Sequence, residues 1–374
     1  MLFLFWLSIL LLVYVYAGYP LVLWGCRLLR RQKIHRGPYR SSVDIIIPAY
    51  NEERVIAAKI NNTLNLEYPP ELLTITVISD GSSDGTDLVV QRFEARGIRF
   101  IRQDTRQGKA AALNRGLAES RSKIVVFTDA SILLAPSALK NILKPFNDPT
   151  VGCVSGEDHI PAGGGEGLYG RYELAIRNLE SCCASIVGAS GCFYAQRRVL
   201  AKPFTEGRAP DFLSVLSCVD AGYRAVTEPS AVGVMGRLSA SRDEYQRKQR
   251  TIIRGITALM DYKHMLDPRR YGFFAFELWS HKILRWSVGG LMVLAFLSNL
   301  YLIHRPFYLL LLACQAAFYA LAAVAWRREA KGRAPGGLIF RIPLFLCVAN
   351  FAALVAWVRY LSGRRQELWE SSKR

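Results

Sequence analysis

The run VDIIIPAYNEERV, from Val43 to Val55, followed by ITVISDGSSDGT from Ile75 to Thr86, decides how the middle of this chain reads. Each opens on a short run rich in β-branched residues, interrupted only by Asp44 in the first and Thr76 in the second, and closes on a cluster of Pro, Gly, Ser, Asn or Asp. The rhythm continues with Arg99 to Ile101, a Gly108-Lys109 turn, and then Ile124 to Thr128, which ends at Asp129. Helical periodicity fills the intervals from Glu52 to Leu66, from Thr86 to Arg96 and from Lys109 to Glu119. This alternation predicts a mostly parallel α/β sheet with helices on both faces, whose ligands bind beyond the C-terminal ends of the strands. No GxGxxG or GxxxxGK[ST] is present, which argues against a dinucleotide fold and a P-loop. Acids stand at the strand ends instead. Asp80 and Asp84 fit turn roles in a Ser/Gly-rich segment, whereas Asp129, before Ala130 and Ser131, is placed to meet ligand, metal or water.

Outside this middle the composition changes. Met1 to Cys26 carries no charged side chain and exceeds the ~20 residues that a spanning helix needs. It lacks the early basic residues and short apolar core of a cleaved signal, so it reads as a retained anchor. Arg27, Arg30, Arg31, Lys33, Arg36 and Arg40 follow, and the positive-inside rule places that flank in the cytoplasm. Trp286 to Ile303, Pro306 to Trp326 and Ile342 to Val358 are free of Asp, Glu, Lys and Arg. If all three span, the tail lies outside, although it holds Arg359, Arg364, Arg365, Lys373 and Arg374 against Glu367 and Glu370; a re-entrant last segment, with Arg341 and Pro343 at its start, is the alternative. Pro268 to Arg285 mixes aromatic and basic residues, the pattern of a helix lying in the membrane interface or of an ordinary packing helix. The chain thus divides into a spanning helix (1–26), a basic linker (27–42), an α/β domain (43–262), an interface-helix region (263–285), about three spanning helices (286–358) and a basic tail (359–374).

The net charge of +18 sits largely beside these apolar segments, and no aromatic-interleaved basic motif suggests nucleic acid as a partner. A hydrophobic content of 51% excludes a disordered basic protein. The eight cysteines show no CxxC spacing and the five histidines no i, i+4 pair, which argues against a disulfide scaffold or a zinc site.

Taken in order, VDIIIPAYNEERV, ISDGSSDGT (Ile78 to Thr86), GKAAALN (Gly108 to Asn114), FTDAS (Phe127 to Ser131), GASGCFYAQR (Gly188 to Arg197) and the segment Pro210 to Pro229 resemble the inverting family-2 glycosyltransferases. The whole chain is similar to their membrane-embedded branch, which includes cellulose, chitin, hyaluronan and poly-N-acetylglucosamine synthases. The resemblance implies a cytoplasmic, Rossmann-like GT-A domain, with an α-helical transmembrane region, in a multi-pass protein of the cell (inner) membrane. It further implies a UDP-sugar donor, with Pro48, Ala49, Tyr50 and Glu52 lining the nucleotide pocket, Asp80 contacting base or ribose, and Lys109 nearby. Asp129 matches the first acid of the DxD motif, which holds the diphosphate through Mg²⁺ or Mn²⁺, and Asp211 matches the general base. Gly191 and Tyr194 fall in the acceptor segment.

This sequence departs from the family pattern at three places. Ser131 replaces the second acid of DxD, and Pro210 replaces the acid before the base. The QxxRW motif reads Arg247-Lys248-Gln249-Arg250-Thr251, so its Arg survives as Arg250 while its Gln and Trp do not. Arg250 then either grips the diphosphate or belongs to a basic helix facing lipid headgroups. The expected activity is inverting transfer to a lipid-linked or growing polysaccharide acceptor, in the synthesis of a cell-surface or exopolysaccharide. Addition of one or a few sugars is favoured over long-chain synthesis, which would need a second copy or a secretion partner to complete a channel. A polyprenyl-phosphate-sugar synthase and a non-catalytic nucleotide- or polymer-binding subunit are the alternatives.

Overall fold

The computed structural model describes residues 1–30, 32–159, 165–235 and 241–363. Arg31 and the tail charges from Arg364 onward, including Glu367 and Glu370, lie outside the described residues.

The α/β domain is one eight-stranded sheet of order β3-β2-β1-β4-β7-β6-β8-β5. Its first half is parallel: β1 (Val43–Ala49) lies between β2 (Leu73–Asp80) and β4 (Ile124–Thr128), and β3 (Ile98–Gln103) forms the edge. The second half is mixed, made of β5 (Ile132–Leu134), β6 (Val151–His159), β7 (Phe193–Arg197) and β8 (Arg224–Met235). There β7 runs antiparallel to both β4 and β6, while β8 is parallel to β6. β1 does not stop at Pro48 as the sequence suggests but continues to Ala49. The ladder to β4 has already ended at Ile46, so the N–H that proline lacks is not needed on that side.

Alternation along each strand builds two cores. Ile45 and Ile47 turn to one face with Ile56 and Ile60 of α3 (Ile56–Leu64), and with Leu139 and Ile142 of α6 (Ala138–Leu143). α4 (Thr86–Gln91) lies between β2 and β3 in sequence, and its Val90 joins the same core. Ile46, Val125 and Phe127 turn the other way, onto Leu113 and Leu117 of α5 (Lys109–Glu119) and Val215 and Leu216 of α8 (Pro210–Asp220). This second core also takes in Ala258 and Leu259 of α9 (Ser241–Asp261) and Phe274 and Leu278 of α10 (Pro268–Leu278). The face of the sheet opposite α3 and α6 is therefore the one joined to the apolar helices.

Among the described residues, four helices are long and apolar enough to cross a membrane: Leu2–Leu29, Pro268–Leu300, Pro306–Ala330 and Leu338–Leu361. The first comprises α1 (Leu2–Val13), a π-helical turn at Tyr14–Gly18, and α2 (Tyr19–Arg30). The second joins α10 through a π turn at Trp279–Leu284 to α11 (Arg285–Leu300), so the interface segment and the next span form one run, broken by non-helical torsions at Gly272. The other two are α12 (Pro306–Ala330) and α13 (Leu338–Leu361). Within α10, Phe274 and Leu278 are buried in the second core of the α/β domain.

α7 (Gly165–Cys183) is the joint between the two parts. Ile176 and Cys183 pack on Tyr19 and Leu23 of α2. Glu180 Oε1 accepts from Tyr19 Oη (2.7 Å) and lies 2.6 Å from His281 Nδ1, while Glu173 Oε2 is 3.0 Å from His281 Nε2. Arg285 donates to Glu173 Oε1 (2.6 Å) and to Tyr169 Oη (2.7 Å). α11 and α13 cross at Gly289, where an added Cβ would meet the Asn350 carbonyl oxygen at 2.3 Å; its neighbour Gly290 faces open space. Small residues at such crossings let helix backbones approach closely. Gly289→Ala should therefore cost ~1–3 kcal/mol of stability by overpacking, read as a lower melting temperature in detergent, with Gly290→Ala unchanged as the control. Equal melting of both variants would show that the crossing is elsewhere.

Candidate functional site

The polar residues that end the parallel strands collect at one edge of the domain. At the end of β1, Tyr50 lies under the Arg106 guanidinium, 4.1 Å from its ring centroid. Pro48 and Tyr50 are partly exposed, Ala49 is buried, and the Glu52 amide donates to Thr86 Oγ1 at 2.8 Å. Asp80, 2% exposed, accepts from the amides of Gln107 (2.7 Å) and Gly108 (2.8 Å). Both of its oxygens thus hold the turn that starts α5. Gly81 permits this closure, with φ at +65° and the Arg106 amide nitrogen 2.6 Å from where a Cβ would stand. Asp84 keeps the turn role expected of it: it accepts from the Thr86 amide and hydroxyl and from the Glu53 amide.

Lys109, the first residue of α5, reaches across to β4. Its Nζ is 2.5 Å from Asp129 Oδ1 and 3.3 Å from the Gly191 carbonyl. Burial disfavours the charged amine, but the fields of Asp129, Cys192 and Asp211 outweigh it and hold the lysine above its ordinary pKa. Asp211 sits in the first turn of α8, with its carboxylate 3.9 Å from where a Gly191 Cβ would be. Burial raises its pKa, against the pull of Lys109 and Lys282. The sheet thus brings Asp129, Lys109, Gly191 and Asp211 together.

Tyr194 is not part of that group. It is 2% exposed on β7, its ring centroid 4.9 Å from that of Phe127, and its hydroxyl accepts from Ser214 Oγ. Strand alternation turns it into the core, which corrects its expected place among the acceptor residues. Arg250 and Arg254 lie on α9, and the Arg247 side chain lies outside the described residues.

Two functional candidates, Asp158 and Lys59, are not singled out in the sequence; a third, Arg254, reads there as part of the basic run with Arg250. Asp158, near the end of β6, accepts from Ser190 Oγ at 2.6 Å, and that hydroxyl in turn receives the amides of Cys192 and Phe193. Burial pushes Asp158 up to about 6, and the fields of Asp129 and Asp211 add to the effect. Lys59, fully buried on α3, donates to Thr128 Oγ1 (2.9 Å) and the Ile132 carbonyl (2.7 Å), bracketing the Asp129-Ala130-Ser131 turn from beneath. Burial pushes this amine down to about 7. A lysine within the apolar stripe of Ile56 and Ile60 was the available signal. Arg254 keeps Nε and Nη2 buried with no hydrogen-bond partner, beside the charges of Glu206 and Asp211.

Among the described residues no three His, Cys, Asp or Glu side chains gather closely enough to hold a metal by themselves. The donor set nevertheless fits a divalent ion completed by a ligand. Asp129 and Asp211 both raise Asp158, a concentration of negative field that a cation relieves, and Mg²⁺-type sites take one or two carboxylates plus phosphate oxygens.

Residues 44–201 match the family described as Glycosyl transferase family 2. A poly-β-1,6-N-acetyl-D-glucosamine synthase of Staphylococcus aureus is 26% identical over 291 residues, covering 76% of this chain and 62% of its own length. This chain therefore spans less than two thirds of those relatives. A probable glycosyltransferase of Bacillus subtilis is 35% identical over 125 residues, 32% of this chain and 30% of that one. The solved structure of a mannosyltransferase from Pyrobaculum calidifontis, in complex with GDP-mannose and Mn²⁺, superposes with a TM-score of 0.76 at 24% identity, covering 97% of this chain and 100% of that one. That likeness establishes the GT-A fold, extended by the apolar helices.

The raised Asp158 carboxyl carries a proton between pH ~4 and about 6 that the unfolded chain has already lost. Its contribution to stability therefore falls as pH rises through that window and stays low above it. In metal-free buffer, Asp158→Asn should gain on the wild type between pH 4.5 and 7 by on the order of 1–2 kcal/mol, after allowance for partial exposure. Parallel melting curves across that range would refute the shift.

Proposed function

We propose that the chain is a multi-pass enzyme of the cell membrane whose cytoplasmic domain transfers a sugar, with inversion, from a UDP-sugar to a lipid-linked or growing polysaccharide acceptor. The observation that carries this reading is the meeting of Lys109, Asp129 and Asp211 around Gly191, at the C-terminal ends of parallel strands in a family-2 domain. The cytoplasmic placement rests on the basic flank after the first apolar helix.

In this reading Pro48, Ala49, Tyr50 and Glu52 border the nucleotide pocket. Asp80 acts on the base end through the turn that it anchors. Arg250 and Arg254 face the diphosphate, where a positive group is worth most as the leaving group gains charge. Asp129 would hold Mg²⁺ or Mn²⁺, which supplies charge stabilisation to the departing diphosphate. Lys109 positions Asp129 before the donor arrives. Asp211, raised by burial, is suited to accept the proton of the attacking hydroxyl, and Gly191 leaves room beside it for the acceptor. A long polymer is the second reading, supported by the names of the staphylococcal relatives.

Purified protein given a panel of UDP-sugars, with GDP-mannose included, should release nucleoside diphosphate from one donor in Mn²⁺ or Mg²⁺ and stop in excess EDTA. Asp129→Ala should be inactive while inserting and folding normally. Undiminished turnover in chelator, or by that variant, would overturn the metal role. Asp211→Asn should keep donor binding and lose ~10²-fold or more in transfer rate, the scale of a positioned general base. Unchanged transfer would favour a phosphate acceptor, which needs no base. Sizing the radiolabelled product separates short additions from polymer.

A further inference from the structure

The turn Ser190-Gly191-Cys192, between α7 and β7, is where the two sides of the site touch. Lys109 Nζ donates to the Gly191 carbonyl at 3.3 Å, and the Cys192 carbonyl accepts from the Asp129 amide at 3.1 Å. The pair Lys109 and Asp129 is therefore tied to this turn twice, besides being joined to each other. On its other side the turn faces Asp211, whose carboxylate is 3.9 Å from where a Gly191 Cβ would stand. Residues 184–192 belong to neither helix nor strand, so the order of the turn has to come from outside it.

It comes from β6. Ser190 is 1% exposed, and its amide donates to Ser155 Oγ at 2.8 Å. Its hydroxyl donates to Asp158, with both carboxylate oxygens 2.6 Å away. The same hydroxyl oxygen accepts from the amides of Cys192 (3.1 Å) and Phe193 (3.0 Å), which closes the turn on itself. Arg177 of α7 steadies Ser155 from behind, at 3.1 Å. Ser155 and Asp158 are three residues apart, so on a regular strand they would face opposite sides. The ladder from β6 to β8 is irregular between Ser155 and Glu157, and such breaks re-aim side chains beside a site. Gly156 stands in the break, where a Cβ would meet the Phe193 ring at 2.3 Å and the Ala231 carbonyl oxygen at 2.8 Å. Both β6 side chains thereby reach one serine.

Among the described residues Ser190 is the only hydrogen-bond donor to Asp158. A carboxylate withdrawn from water for a single hydroxyl is costly, and a hydrogen bond to it is of the stronger, charge-assisted kind. We propose that Asp158 is a positioning residue for the transfer. Through Ser190 it fixes the turn that supports Asp129 and Lys109, and so sets the cation-binding carboxylate in place before metal and donor arrive. Asp158 itself touches neither. The inference rests on the reading of Asp129 as the residue that holds the divalent ion.

The test follows Mn²⁺ by electron paramagnetic resonance on the full chain in detergent, with UDP as the nucleotide. UDP binding in EDTA, measured in parallel, reports an intact nucleotide pocket. Asp158→Ala and Ser190→Ala should each weaken the Mn²⁺ held with UDP by ~10–100-fold, the scale of partners that stand behind metal ligands. Both should bind UDP in EDTA as the wild type does. The double variant should lose little more than either single one, because the two residues form one link. Asp158→Asn, whose amide oxygen can receive the same hydroxyl, should restore most of the loss. Wild-type Mn²⁺ affinity in either alanine variant, or losses that add in the double variant, would overturn the proposal. Asp158→Asn failing as badly as Asp158→Ala would overturn it too, by making Asp158 a ligand of the ion. Loss of UDP binding in EDTA would do the same, by making the pair a support of the fold alone. A wild type that binds UDP but no Mn²⁺ would instead strike the metal reading of Asp129, and this inference with it.

Discussion

Everything on the ligand side of this protein depends on how the catalytic domain is seated on the apolar helices, and that seat is a buried polar joint. His281 lies between Glu173 and Glu180, Arg285 completes the pairing of Glu173, and Tyr19 completes that of Glu180. Charges withdrawn from water in this way add little net stability, but losing one partner strands the others at ~3–5 kcal/mol. Such a joint is better at fixing an arrangement than at strengthening it. Apolar contacts alone, as between Ile176 and Leu23, would tolerate sliding; a histidine held at both ring nitrogens tolerates very little.

The consequence reaches the site through short mechanical links. Lys282 follows His281 and stands over Phe212, the neighbour of Asp211, while Trp286 follows Arg285 and packs edge-on to the same phenylalanine. The candidate base therefore takes its bearings partly from the membrane helices, and the donor side takes its bearings from the sheet. Asp129 is held at the end of β4, with Lys59 beneath its turn and Lys109 across from it. The two halves of the chemistry meet at the Ser190-Gly191-Cys192 turn, which touches Asp158, Lys109 and the space before Asp211.

Much of this was written plainly in the sequence. Val43 to Ile47 and Ile124 to Thr128 read as strands because each is a short run rich in β-branched residues closed by a turn residue. Asp129 stands out because a carboxylate after an apolar strand meets little but ligand, metal or water, whereas Asp211 was reached only through the family resemblance. The mixed half of the sheet was less legible, since β7 is antiparallel and short and its pairing is decided by distant segments. The same limit hid Asp158, whose importance comes from facing Asp129 and Asp211 across the sheet, and it promoted Tyr194, whose alternation sends it to the core. Lys59 interrupts an apolar stripe but shows no partner until the end of β4 packs against it, and Arg254 reads as one more cation of a basic helix until Glu206 and Asp211 come beside it. The joint on α7 was invisible for the same reason: Glu173, Glu180, His281 and Arg285 acquire meaning only as a set.

The two π-helical turns, at Tyr14–Gly18 and Trp279–Leu284, lie beside one another, linked by Tyr14 Oη and Ser280 Oγ at 2.8 Å. Each such turn carries one residue more than an α-turn would. Because the wide turn takes up that residue within itself, the helix leaves it in the phase it would have had without it. The same change in an α-helical stretch would turn every following side chain by ~100°. Across Tyr14–Gly18 the wide turn keeps Tyr19 and Leu23 against α7, and across Trp279–Leu284 it keeps Trp286 against Phe212. The two π turns are thus the places in these helices where a residue is gained or lost at the least cost to what packs on either side.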